Sequence, residues 1–239
     1  MPVHARLQGQ ALMHVFYLHG FASSAQSSKA AFFRSRLAEV GVPLTAPDFN
    51  EPDFATLTVT RMIEQVKREM DRVGDKPVAL MGSSLGGFVA VQVAVRYPAD
   101  VDRLILLAPA LDFGGNRMKD LGDRGIEEWQ RTNRLDVFHY GYGRMMSVEY
   151  ELYADARRYD AIEAQLRLPI AIFQGRRDTA VDPETVRRWA SVRPNVRLHE
   201  LDDDHQLLSS LDYIWSESAV SLNLRPARPS HPPDAAPRA

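Results

Sequence analysis

The amino-acid sequence predicts an α/β fold built on a doubly wound, mostly parallel sheet of about six strands. Short apolar runs alternate with helical patterns along most of the 239 residues. Several runs, such as residues 78–81 and 104–108, are apolar at every position. Continuous apolar runs are typical of parallel strands covered by helices on both faces. Strands and helices that alternate at this spacing favour the doubly wound arrangement.

The predicted elements follow one another in a regular order. Apolar side chains at helical spacing indicate helices between the strands, at residues 29–40, 58–73, 88–95 and 184–192. Pro98 ends the third helix within a residue or two, because proline cannot continue a helix. The six predicted strands are residues 15–18, 44–49, 78–81, 104–108, 170–173 and 196–201.

Two segments depart from this alternation. Residues 112–168 contain no strand-like run and carry many aromatic and charged side chains. Because so long a structureless loop is improbable in a compact domain, we expect a mostly helical lid insertion. It would divide a catalytic core made of residues 13–111 and 169–224. Residues 225–239 hold five of the 15 prolines, and we expect them to form a disordered tail.

Composition excludes several classes of function. The chain has no cysteine, which removes disulfides, cysteine-based zinc sites and cysteine nucleophiles. A formal charge of −2, from 29 basic and 31 acidic side chains, favours neither nucleic acid nor an anionic membrane as a partner. No run approaches the ~20 apolar residues of a membrane span, and His14 interrupts the longest apolar stretch near the start, residues 11–18. We therefore expect a cytoplasmic protein without a membrane span.

The most specific motif is Gly82-Ser83-Ser84-Leu85-Gly86, directly after a predicted strand and directly before a predicted helix. This is the G-x-S-x-G nucleophile elbow in the context that it requires. The turn strains the serine and presents its Oγ at the carboxyl end of the sheet. The backbone N–H of Leu85, at a helix N-terminus, would then point to where an oxyanion forms.

A serine hydroxyl needs a base to take its proton and an acid to orient that base. Asp178 and His205 follow two later predicted strands, in the order serine, acid, histidine expected for this elbow. Both therefore lie where ligands bind in open α/β sheets. Asp182 is the alternative acid, but it precedes Pro183 and is better explained as the N-cap of the next helix.

The loop after the first strand predicts the rest of an oxyanion hole. Gly20 lets the backbone turn so that the N–H of Phe21 can supply a second donor beside that of Leu85. His19 is interpreted as a hydrogen-bonding support for this loop rather than as a base. The neighbouring serines are interpreted as loop polarity and helix capping.

These motifs resemble those of the α/β-hydrolase superfamily, over about residues 13 to 224. Within it, the segments Leu18-His19-Gly20-Phe21-Ala22-Ser23-Ser24, Ser27-Ser28-Lys29-Ala30 and Gly82-Ser83-Ser84-Leu85-Gly86-Gly87 look like those of small bacterial YqiA-like serine esterases. The resemblance implies hydrolysis of a carboxylic ester or thioester without metal or cofactor. The long insertion departs from those compact esterases and looks more like that of lidded lipases and aminopeptidases.

In lidded hydrolases such an insertion covers the nucleophile and shapes the acyl pocket. By that analogy the apolar side chains of the insertion line a substrate pocket; equally, they could form the insertion's own small core. The candidate substrate-binding residues are Trp129, Tyr140, Tyr142, Met145 and Met146.

The function that the sequence favours is a serine carboxylesterase acting on a small acyl ester or thioester. Ser84 would be the nucleophile, His205 the base, and Asp178 the acid that holds the base in its tautomer. A thioesterase or an aminopeptidase would use the same residues. A different class also stays open, since a binding protein or a lyase can share the fold. The sequence leaves the oligomeric state open.

Overall fold

The computed structural model describes residues 13–74, 77–115 and 121–224. Within them the strands are β1 (Val15–Leu18), β2 (Leu44–Thr45), β3 (Val78–Ser83), β4 (Val101–Leu107), β5 (Leu135–His139), β6 (Arg144–Val148), β7 (Ile170–Gly175) and β8 (Val196–Leu201). The helices are α1 (Ser28–Glu39), α2 (Val59–Val73), α3 (Leu85–Arg96), α4 (Gly122–Thr132), α5 (Glu151–Ala156), α6 (Pro183–Ser191) and α7 (Leu211–Ser221). The predicted tail, 225–239, lies outside the described residues.

The main sheet has six strands in the order β2-β1-β3-β4-β7-β8, and every pairing in it is parallel. The predicted fold class, a doubly wound parallel sheet of about six strands, is confirmed. The chain runs outward from β1 to β2 and then returns to β3 on the other side of β1. Ligands bind at such a switch point, outside the carboxyl ends of the strands.

Two apolar layers cover the two faces of this sheet. Alternate side chains of a strand point to opposite faces, so Phe16 and Leu80 join one buried cluster with α2, α3 and α6. Tyr17 and Met81 join the other cluster, with α1 and α7. The inner strands β1, β3 and β7 are buried at every position for this reason, which accounts for their continuous apolar runs.

Local sequence determines where several helices begin. Ser27 caps α1 by accepting a hydrogen bond from the N–H of Ala30, and Thr58 caps α2 by accepting one from that of Arg61. Asp182 caps α6 by accepting from the N–H of Glu184. The interpretation of Asp182 as an N-cap is therefore confirmed.

The predicted strand at residues 44–49 is shorter than expected, since β2 ends at Thr45. Pro47 follows closely, and a proline has no N–H to donate to a strand ladder. β2 lies at the edge of the sheet, where it pairs with β1 alone.

The expectation of a mostly helical insertion is wrong for residues 135–148. Between α4 and α5, strands β5 and β6 form an antiparallel hairpin in which Leu135 pairs with Val148 and His139 pairs with Arg144. Half-buried and exposed side chains alternate along β5. This alternation and the Gly141-Tyr142-Gly143 turn are the strand signals in the sequence, but they are short and interrupted by charges.

Candidate active site

Ser84 lies in a tight turn that only small neighbours permit. Its φ of 52° and ψ of −116° are rarely adopted by a non-glycine residue. A Cβ on Gly82 would overlap the backbone of Gly86, and a Cβ on Gly86 would overlap the carbonyl of Leu18. A Cβ on Gly87 would lie 2.8 Å from that of Pro109. The glycines of the motif therefore let β1, β3 and α3 approach closely enough to form the elbow.

The elbow places Ser84 at the middle of the sheet edge and partly open to solvent. Its N–H donates to the carbonyl of Leu107 at the end of β4, with an N–O distance of 2.9 Å. On the other side, a Cβ on Gly20 would lie 3.3 Å from the Cβ of Ser84 and 4.0 Å from its Oγ. The loop that follows β1 thus runs directly beside the serine.

Asp178 and His205 are joined by a hydrogen bond, although 27 residues separate them. His205 Nδ1 lies 2.8 Å from Asp178 Oδ2. A carboxylate only accepts, so Nδ1 carries the proton and the Nε2 lone pair is left open. Among the described residues no hydrogen bond joins the Ser84 hydroxyl to the His205 ring. Such bonds are commonly long before substrate binds and tighten in the reacting complex.

The carboxylate of Asp178 is buried and has a donor on every side. Oδ1 accepts from the N–H groups of Ala180 and Val181, each at 2.8 Å, and Oδ2 also accepts from Gln174 Nε2 at 2.9 Å. Burial alone would raise the pKa of Asp178. The hydrogen bond and charge of His205, with the Val181 and Gln174 donors, outweigh burial and hold this pKa below its usual value.

Two buried side chains that support this pair have only weak signals in the sequence. Gln174 is a lone polar residue at the end of an apolar strand, and its amide reaches Asp178. Asp203 stands in a run of three aspartates, residues 202–204, which is typical of a solvated loop, but it is buried. It accepts from the Ser210 hydroxyl at 2.8 Å and from the Asp204 N–H at 2.8 Å. It therefore shapes the turn that carries His205.

Lys29 is a third residue that the sequence interpretation missed. It lies in the first turn of α1, is only 8% exposed, and experiences the negative charges of Asp178, Asp204 and Asp203. Burial lowers the pKa of Lys29 to about 8, although these three charges act to raise it. An ammonium group in this place compensates for the acidic charge behind the Asp178–His205 pair.

The loop after β1 is supported by His19, as the sequence suggests. His19 is buried, its Nδ1 lies 2.9 Å from the carbonyl oxygen of Gly20, and its Nε2 accepts from the N–H of Phe49 at 2.9 Å. The ring also packs on that of Phe49, with centroids 4.9 Å apart. One ring nitrogen thus holds the Gly20 carbonyl, and the other ties the ring to Phe49 in the loop after β2.

The candidate substrate-binding side chains divide into two groups. Trp129 is 1% exposed, packs against Tyr150 and Tyr153, and donates from Nε1 to the carbonyl of Val148 at 3.0 Å. Met146 is partly buried against the same core. The structure therefore places Trp129 inside the insertion and not at a surface that substrate could touch. Tyr140, Tyr142 and Met145 are exposed on the hairpin.

Comparison with known proteins places this arrangement in a family. The sequence profile described as "Uncharacterised protein family (UPF0227)" matches residues 14–221. The chain belongs to this family. A putative hydrolase from Agrobacterium vitis S4 has the same fold, since its structure superimposes on this chain with a TM-score of 0.78. That match covers 90% of both chains at 22% identity.

Two curated relatives have sequences similar to this UPF0227 chain. Lipase LipV of Mycobacterium tuberculosis is 34% identical over 86 residues, which cover 34% of this chain and 33% of the lipase. The chain is thus matched to only a third of that lipase's length. The mitochondrial palmitoyl-protein thioesterase ABHD10 of Rattus norvegicus is 22% identical over 223 residues, which cover 83% of this chain and 73% of the thioesterase.

Other features of the UPF0227 chain lie away from the elbow. A cavity of about 370 Å³ lies between α6 and residues 162–165, and none of the predicted site residues lines it.

The described ranges contain no group of three or more histidine, aspartate and glutamate side chains placed to hold a metal ion. In the same ranges, no helix combines the length and the apolar character that crossing a bilayer demands.

Proposed function

We propose that this UPF0227 protein is a serine hydrolase that cleaves carboxylic esters through an acyl-enzyme on Ser84. The observation that carries the proposal is the hydrogen bond between His205 and buried Asp178, at the same sheet edge as the strained Ser84 elbow. Convergence of a nucleophile, a base and an orienting acid on one edge is the arrangement that acyl transfer requires.

In the proposed acylation step, Ser84 Oγ attacks the ester carbonyl carbon while His205 Nε2 takes the hydroxyl proton. The carbonyl electron pair moves to oxygen, and the resulting oxyanion accepts hydrogen bonds from the N–H groups of Phe21 and Leu85. Collapse of this intermediate breaks the ester C–O bond. The departing alkoxide receives the proton from His205 and leaves as the alcohol. Asp178 stabilises the imidazolium throughout but keeps no proton itself.

Deacylation repeats the same chemistry with water as the nucleophile. His205 takes a proton from water, the hydroxide adds to the acyl carbon, and the same two N–H groups stabilise the second oxyanion. When the bond to Ser84 Oγ breaks, His205 returns the proton to that oxygen. The products are a carboxylic acid and the free enzyme, and all atoms come from ester and water.

The insertion is proposed to act as a cap over the loop that carries Phe21. The N–H of Gly141, in the hairpin turn, lies 3.3 Å from the carbonyl oxygen of Ala22. Exposed Tyr142 and Met145 are in the same hairpin and are proposed to contact the acyl group of the substrate. Met146 and Trp129 would then support the cap from inside.

Thioester hydrolysis is the second candidate, and the similarity to the thioesterase ABHD10 over 83% of the chain favours it. The same serine, histidine and oxyanion donors would serve, with a thiolate as the leaving group. A thiolate needs less help from a general acid than an alkoxide does, because its conjugate acid is stronger.

A substrate panel tests the proposed function. Purified protein is assayed with p-nitrophenyl esters from acetyl to palmitoyl, one acyl-CoA and one aminoacyl anilide. We expect the highest kcat/KM with an ester. An acyl-CoA preferred over every ester would replace the esterase proposal by the thioesterase, and a preferred anilide would reject both.

A further inference from the structure

A chain of buried polar side chains connects the β5–β6 hairpin to the loop that carries Phe21. His139, at the end of β5, is fully buried, and its Nε2 lies 3.0 Å from Asn50 Oδ1. The Asn50 amide, also buried, donates from Nδ2 to the carbonyl oxygen of Ser23 at 2.9 Å. His139 therefore reaches, through one intermediate side chain, the backbone two residues from the proposed oxyanion donor.

The hydrogen bonds in this chain fix one another's direction. His139 Nδ1 accepts from the N–H of Tyr142 at 3.2 Å, so the ring proton is on Nε2 and is donated to Asn50. Asn50 Oδ1 is thereby the acceptor, and Nδ2 has both hydrogens for Ser23 and for Asp48 Oδ1 at 2.7 Å. Burial lowers the pKa of His139, which keeps this neutral form over a wider pH range.

The loop beside Ser84 needs such support. Ala22 has a φ of 52°, in the left-handed region that an L residue other than glycine rarely adopts. The hairpin contacts this loop directly through the Gly141 N–H, which donates to the carbonyl of Ala22. It also reaches the loop through Phe54, whose ring centroid lies 4.7 Å from that of His139 and 5.5 Å from that of Phe21. These long-range contacts add to the local support that His19 gives through the carbonyl oxygen of Gly20.

We propose that His139 is a positioning residue for this hydrolase: its hydrogen bond to Asn50 holds the Ser23 carbonyl, and so keeps the Phe21 N–H aimed at the oxyanion. The inference rests on the proposed function, because it needs Phe21 to be an oxyanion donor. It assigns to the insertion a role in transition-state stabilisation in addition to covering the site.

The expected effect falls on kcat rather than on KM. An oxyanion donor must lie about 2.7–3.1 Å from the developing charge, and losing one outright costs about 10²–10³ in kcat. A donor that is displaced but present costs less, about tenfold. The bound substrate carries no oxyanion, because this charge develops only as Ser84 attacks the carbonyl. KM should therefore change by less than about twofold.

Two substitutions at position 139 separate the hydrogen bond from packing. His139→Phe keeps a ring between Tyr142 and Phe54 but removes the donor to Asn50. His139→Gln loses the ring but keeps an N–H donor near the position of Nε2. We expect His139→Phe to lower kcat about tenfold and His139→Gln to retain kcat within about threefold. Equal kcat in both variants, or a larger loss in His139→Gln, would overturn the inference.

Ser147→Ala is the matched control for hairpin stability. It removes the exposed cross-strand hydrogen bond from Ser147 Oγ to Asp136 Oδ1, 2.6 Å long. It leaves the buried hydrogen bonds of His139 and Asn50 unchanged. Its kcat should equal that of the wild type, while urea unfolding reports the stability of each variant. If His139→Phe does not fold, Asn50→Asp replaces it, since it keeps the acceptor for His139 but loses the donor to Ser23. An unchanged kcat in a folded Asn50→Asp protein would also overturn the inference.

Failure of this inference and failure of the proposed function give different results. If the wild type neither hydrolyses an ester nor reacts with a fluorophosphonate, the proposed function fails and takes the positioning role with it. If the wild type is active and His139→Phe has the wild-type kcat, only the positioning role fails.

Discussion

The conformation of Ser84 depends on its neighbours more than on the serine itself. Its positive φ is kept because Gly82 and Gly86 let the strand and the helix close around it. At neither glycine is φ positive, so both are required for the space that they leave and not for their conformational freedom. The elbow is therefore a packing feature of three elements.

Gly86→Ala tests this packing. The new Cβ would overlap the Leu18 carbonyl, so we expect roughly 2–4 kcal/mol less stability by urea unfolding and a large loss of esterase activity. Gly115→Ala is the control, because among the described residues its Cβ would meet only the Asp112 carbonyl oxygen, at 3.8 Å. Identical unfolding midpoints for the two variants would contradict the account.

Asp178→Asn tests the proposed orienting acid. An amide can still accept from Ala180 and Val181 but would present an N–H group to His205 Nδ1, which favours the wrong tautomer. We expect kcat to fall about 10³–10⁴-fold with KM little changed. Asp182→Asn is the matched control and should keep its activity, since asparagine is an equally good N-cap. Equal rates in both variants would remove Asp178 from the mechanism.

Lys29→Met tests the buried ammonium group. Burial lowers the pKa of Lys29 to about 8 from 10.5, so between these pH values the unfolded chain binds more protons and wild-type stability rises with pH. Methionine does not titrate, so it adds no pH dependence to the free energy of unfolding. We expect the variant to be more stable than the wild type by roughly 3 kcal/mol at pH 7, and the difference to shrink towards pH 10.5. A less stable variant at pH 7 would show that the three nearby carboxylates outweigh burial.

At the scale of a single residue, a role can be predicted where the neighbouring residues in the sequence indicate it. Asp182 is recognisable as an N-cap because Pro183 follows it, and the structure confirms this. His139 has no such signal, because its partner Asn50 lies 89 residues away in the sequence. Lys29 and Asp203 likewise look like surface charges until the fold buries them. Their roles depend on long-range packing that one sequence does not encode locally.

At the scale of elements, some strands are recognisable from the sequence, whereas those of the insertion depend on contacts with distant residues. The strands of the main sheet are recognisable from continuous apolar runs, because helices cover both of their faces. β5 alternates between half-buried and exposed side chains and β6 begins with two exposed ones, so their apolar pattern is short and interrupted. Within the described part of the chain the two strands pair with each other and not with the main sheet. The hairpin also contacts the loops after β1 and β2, which its own sequence does not reveal.

Trp129→Phe tests whether the insertion has its own core. The substitution removes the bond from Nε1 to the Val148 carbonyl and leaves a small cavity, so we expect a loss of roughly 1–2 kcal/mol in urea unfolding. Because Trp129 is buried away from the surface, the ratio of acetyl to octanoyl ester hydrolysis should stay constant. A changed ratio with unchanged stability would place this ring in the substrate pocket instead.

At the scale of the whole molecule, the parallel sheet gathers residues that are far apart in the sequence. Ser84 follows β3, Asp178 follows β7 and His205 follows β8, and β7 and β8 are neighbours. Because all carboxyl ends of a parallel sheet face one way, the order of motifs in the sequence is enough to expect one shared edge. The hydrogen bond between Asp178 and His205 agrees with that expectation. The distance between His205 and Ser84 depends on how the loops pack, which the order of motifs does not predict.

Labelling of Ser84 tests the central claim most directly. Folded wild-type protein is incubated with a fluorophosphonate probe, and the adduct is measured by intact mass and located by peptide mass spectrometry. We expect one adduct on Ser84 of the wild type and none on the Ser84→Ala protein. A folded wild type that stays unlabelled, or a Ser84→Ala protein labelled to the same extent, would contradict it.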